Sequence, residues 1–121
     1  MASLKDKAIT LLGSLSGVDM KTAASTTIFT TVANKVTRIA YVVVRDTSAS
    51  LAGGTSYSVT QWRQAFSLAA LTTANTGYIM VAGADLAQYT ELAPGTAVQL
   101  TVTTGATAAG TATIDIFGYT T

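Results

Sequence analysis

From Ser25 onward, Thr and Ser alternate with Val, Ile, Leu and aromatic residues, and a Gly or Asn breaks the pattern about every ten residues. That spacing predicts an all-β chain of short antiparallel strands. The clearest run sets Val98, Leu100 and Val102 against Gln99, Thr101 and Thr103, a strand with one buried side. In Thr111–Tyr119, Ala112, Ile114 and Ile116 point one way and Thr113, Asp115, Phe117 and Tyr119 the other, so the face opposite the core is partly aromatic. Val36–Arg45 differs, because Ile39-Ala40-Tyr41-Val42-Val43-Val44 is apolar on both faces. A strand of that kind is covered on both sides, and in so small a protein one cover can be another subunit. Ser25–Val32, Thr55–Thr60, the alternating Trp62, Gln64, Phe66 and Leu68, Tyr78–Ala82 and Gln88–Leu92 supply the other strands. Asn34 suits a left-handed hairpin turn, and Pro94-Gly95 fits the centre of a type II turn. About eight strands with short connections predict an antiparallel β-sandwich of jelly-roll type.

The first residues follow another rule. Leu4, Ala8, Leu11 and Leu15 are spaced by four, three and four, one face of a short helix, while Gly13, Ser14, Ser16 and Gly17 oppose its continuation. Residues 1–22 therefore read as an N-terminal arm or helix ahead of a sandwich domain at 23–121. The arm is either a frayed end or a docking segment that offers Leu4, Ile9, Leu11, Leu12 and Leu15 to a partner.

Composition narrows the chemistry. Only 11% of the 121 residues are charged, against roughly 25% in an ordinary soluble domain, so the surface is neutral or covered. The chain has no Cys and no His, which removes thiolate and imidazole catalysis, Cys/His zinc sites and disulfides. Its six acids, Asp6, Asp19, Asp46, Asp85, Glu91 and Asp115, are scattered, and no calcium loop or phosphate loop appears. No cofactor or metal is expected, and an enzyme, in the form of a small hydrolase, is the weakest reading. A net charge of +1 without a basic stripe argues against nucleic acid, and no apolar run approaches the roughly 20 residues of a membrane span. The start of the chain lacks a signal-peptide core, which points to synthesis in the cytoplasm.

A few side chains stand out. Arg38 and Arg45 flank the doubly apolar strand, where they either bond Asp46 or Asp115 or reach a carboxylate on a partner. Phe117 and Tyr119 belong to the same candidate partner surface. Trp62 is either a core anchor beside Phe66 and Leu68 or a sugar-stacking platform. The second role would make the chain a carbohydrate- or receptor-binding module of a fibre, with Tyr57, Tyr78 or Tyr89 assisting.

The stretch Ser25-Thr26-Thr27-Ile28-Phe29-Thr30-Thr31-Val32-Ala33-Asn34-Lys35-Val36-Thr37-Arg38-Ile39-Ala40-Tyr41-Val42-Val43-Val44-Arg45-Asp46 resembles the opening strand pair of small virion proteins of tailed bacteriophages. Those openings read as Thr-x-Ile-Tyr/Phe-Thr-x-Pro-Ala-x-Lys-x-x-Arg-Ile; this chain has Val32 where Pro is common. Capsid decoration (cement) proteins and related head or fibre modules begin this way. The resemblance implies a β-sandwich or jelly roll that binds the major capsid protein as a homo-oligomer, commonly a trimer. It would assemble in the host cytoplasm and reside on the capsid surface of the virion.

Overall fold

A computed structural model describes residues 9–60, 65–81 and 91–121. Its strands are β1 (Thr10–Asp19), β2 (Ser25–Thr30), β3 (Thr37–Arg45), β4 (Ser56–Val59), β5 (Tyr78–Val81), β6 (Glu91–Leu92), β7 (Ala97–Thr104) and β8 (Thr111–Thr120). Every strand pairing is antiparallel. The larger sheet runs β1-β8-β3, with β5 and β6 both on the far side of β3, and the smaller runs β2-β7-β4.

The alternation read from the sequence decides which side of each strand meets the core. Val42, Val44, Ile114 and Ile116 from the larger sheet and Tyr57, Val59, Val98, Leu100 and Val102 from the smaller belong to one buried cluster between the sheets. The chain is thus all-β with sandwich-like packing. Asn34 takes the left-handed conformation (φ 66°), as its turn requires, and so does Gly95 (φ 75°) after Pro94.

The beginning of the chain departs from expectation. Over its described part the arm is not a helix but β1, an edge strand of the larger sheet paired along its length with β8. The cause is local. Register shifts between Leu11 and Gly13 and between Leu15 and Val18 each insert residues into the strand. The shifts bring Leu12, Leu15 and Val18 to the core and leave Leu11 outward, so Leu11 and Leu15, which the helical spacing placed on one face, lie on opposite sides of the sheet. Leu12 and Leu15 are therefore spent on this chain's own core, and Leu4 lies outside the described residues. Met20, fully buried, continues the same packing, so β1 is integral to the sandwich.

The strand expected around residues 62–68 also differs. Phe66 makes a single antiparallel bridge to Tyr57, and Phe66 and Leu68 are buried, while Trp62 lies outside the described residues. Of the strand expected at 88–92, Glu91–Leu92 is described.

Tyr57 is a core residue, not an exposed ring. It is fully buried, and its hydroxyl donates to the Met20 carbonyl at 2.8 Å, tying β4 to the β1–β2 connection. Burial raises the phenol pKa above its ordinary value. The raised value stabilises the fold fully below about pH 10, and that contribution is lost as pH rises through the folded pKa. Tyr57→Phe is expected to cost about 1 kcal/mol, because the Met20 carbonyl keeps the Ala106 N–H as a second donor. The variant should also lose less stability above pH 10 than the parent, which urea titrations at pH 8 and 11 would measure.

Candidate functional site: the outer face of the larger sheet

Opposite the core, β1, β8 and β3 form a surface of unusual composition. Residues directly paired across antiparallel strands share a face, so the register Leu11↔Phe117 and Phe117↔Tyr41 places these three in one row. Tyr41 and Phe117 meet edge to face, with ring centroids 6.3 Å apart. Ile9, Tyr41, Val43 and Phe117 line a shallow depression of about 440 Å³. Leu11 and Ile9 are 53% and 43% exposed, high for side chains of their type. The doubly apolar strand of the sequence is thus real: Val42 and Val44 face the core, and Tyr41 and Val43 face outward, half-buried.

Polar groups bound the patch at both ends. At one end Arg38 bonds Glu91 across the β3–β6 pair, with Tyr119 opposite Arg38 on β8. At the other, Asp115 accepts from Ser14 Oγ at 2.5 Å and from Arg45 Nε at 2.7 Å, and Arg45 Nη1 reaches Asp46 at 2.7 Å. The Asp115 carboxylate, only 9% exposed, raises the Arg45 guanidinium pKa through this hydrogen bond and its charge. The arrangement fastens β1, β8 and β3 together on their outer side. Of the two roles open to the arginines, both make intramolecular ion pairs. Arg45 uses the acids that were foreseen, while Arg38 uses Glu91, distant in sequence and brought near by the β3–β6 pairing. Ser14 was not singled out by sequence reasoning; its register opposite Asp115 is the signal, visible once β1 is a strand.

The smaller sheet presents the opposite character. Its outer side carries Ser25, Thr27, Ser58, Thr60, Gln99, Thr101 and Thr103, linked by hydrogen bonds such as Ser25–Thr101 at 2.9 Å and Gln99–Thr27 at 3.1 Å. One face of the sandwich is therefore apolar with paired charges at its margins, and the other is an uncharged hydroxyl surface.

Among the described residues, no group of three or more Asp, Glu, Cys or His side chains is placed to hold a metal ion. No helix is long and apolar enough to cross a membrane among the described residues. The chain matches no family model, no curated protein and no solved structure.

Proposed function

We propose that this protein is a non-enzymatic structural component of a virion, a capsid cement or decoration protein that clamps neighbouring major capsid subunits. The observation that carries the reading is the asymmetry between the two sheets: an apolar outer face on one and a hydroxyl face on the other. A chain with 11% charged residues and one such face suits a building block whose surface is completed by assembly. The resemblance of residues 25–46 to the opening of tailed-phage virion proteins supports the same role.

We further infer a jelly-roll topology. Three features support it: the first and third strands both flank the last, β2 and β4 both flank β7, and the Tyr57–Phe66 bridge extends the smaller sheet beyond β4. In this reading β5 and β6 both run along the same side of β3, at Tyr41–Val44 and Thr37–Arg38.

The carbohydrate-binding alternative draws less support. Tyr57 is in the core, the hydroxyl face carries no described aromatic side chain, and Trp62 and Tyr89 lie outside the described residues. A cement protein that binds the assembled lattice and not free subunits stabilises the lattice by mass action. Co-sedimentation with undecorated capsids of the encoding phage should therefore show saturable binding in fixed stoichiometry, together with a raised temperature of capsid disruption. Absence of pelleting at saturating protein would overturn the role, and glycan-array binding abolished by Trp62→Ala would replace it with the fibre-module reading.

A further inference from the structure

We propose that β6 is a built-in shutter: it detaches from β3 while the rest of the sandwich stays closed, which hydrates the Thr37 hydroxyl and releases Arg38. The starting observation is a buried hydroxyl without a partner. Thr37 is 1% exposed, and its Oγ1 is the one buried side-chain polar atom among the described residues that makes no hydrogen bond. A valine has the same shape and no such cost, so a threonine here favours any state in which water reaches it.

The pairing shows what seals the hydroxyl. Residues directly opposed across strands share a face, so Leu92 of β6 lies beside Thr37 on the core side and Thr120 of β8 on its other flank. The β8 flank is fastened at its end. The Val36 N–H donates to the Thr121 carbonyl at 3.1 Å, and the Thr121 N–H donates to the Val36 carbonyl at 2.9 Å. On the β6 flank two residue pairs hold the strand, against eight between β3 and β8. Leu92, also 1% exposed, is the plug over Thr37.

Glu91 is the latch on the outer side. It bonds Arg38, its direct opposite, but the two side chains are 56% and 35% exposed, and an ion pair in that setting contributes little. The chain after β6 is fixed. Thr31 Oγ1 donates to the Ala93 carbonyl at 2.8 Å and accepts from the Thr96 N–H at 2.8 Å, and the Gly95 N–H donates to the Thr31 carbonyl at 3.2 Å. The turn at 93–96 therefore stays tied to the end of β2, and the motion pivots at the Leu92–Ala93 junction. Four residue pairs with β5 keep the other half of β3 in place. Opening frees the Arg38 guanidinium, wets Thr37 and bares the main-chain edge of β3 at Thr37–Arg38 in one step.

Amide hydrogen exchange of the isolated full chain, followed by NMR without urea and in urea below the unfolding transition, tests this independently of the virion role. Amides that bridge β3 and β6 should exchange at least about 100-fold faster than those that bridge β3 and β8, and with almost no urea dependence, the mark of a local opening. Thr37→Val should slow the β3–β6 amides at least about five-fold, because opening no longer hydrates a hydroxyl. Glu91→Gln, which leaves the core untouched, should speed them about two- to five-fold. Equal rates and equal urea dependence for the two sets of amides would overturn the proposal. So would a Thr37→Val variant that gains stability against urea but keeps its β3–β6 exchange rate, or a Glu91→Gln variant without effect.

Discussion

Gly118→Ala is expected to destabilise the protein by at least about 3 kcal/mol, more than a helix- or strand-propensity change alone would produce. Gly118 lies in β8 between Thr10 of β1 and Ile39 of β3. A Cβ built there would stand 1.9 Å from the Arg38 carbonyl oxygen and 2.9 Å from Leu12 Cδ1. The first obstacle is backbone, held by the β3–β8 ladder beside its register shift between Ile39 and Tyr41, so relief requires separating the two central strands. Gly95→Ala provides the contrast: its positive φ strains any side chain, but no atom lies within 4 Å, and about 1–2 kcal/mol is expected. Urea unfolding of the two variants measures the difference. Equal and small losses would mean that β3 does not pass Gly118 as closely as described.

Ile116→Ala should cost about 3–5 kcal/mol, the upper part of the range for such truncations. Ile116 is fully buried, opposite Val42 on one side and Gly13 on the other. Its neighbours cannot easily collapse into the space. Val42 and Val44 are β-branched and stiff, and Gly13 has no side chain to move while Phe29 already crowds its position. Leu11→Ala, one row away on the outer face, should change monomer stability by less than about 0.5 kcal/mol. The pair of measurements separates the face that folds the chain from the outer face proposed for assembly.

Period-two alternation made β7 and β8 legible, down to the direction of Ile114, Ile116 and Phe117, because neither strand carries an internal irregularity that changes which side meets the core. The same reasoning read β3 as apolar on both faces, and Val42 and Val44 face the core while Tyr41 and Val43 face outward. It failed at β1, where two register shifts break the alternation and where the partner strand, β8, lies at the other end of the sequence. It also misjudged Tyr57, whose polar group is satisfied by a carbonyl 37 residues away, a contact with no local signature. The candidate surface was half visible. Tyr41, Val43 and Phe117 follow from strand parity, but Ile9 and Leu11 join them only through the β1–β8 register, and Leu12 and Leu15 turn inward for the same reason.

The central claim is that assembly covers the outer face of the larger sheet and leaves the hydroxyl face open. Because the chain contains no Cys, a single introduced thiol reports on one position. Leu11→Cys and Thr103→Cys place that thiol on the two opposite faces, both at exposed positions. Maleimide reaction rates, compared between free protein and protein bound to undecorated capsids, test this directly. The thiol at position 11 is expected to slow at least ten-fold on capsid binding while the thiol at position 103 keeps its rate. Equal rates at both positions, or protection at 103 alone, would contradict it.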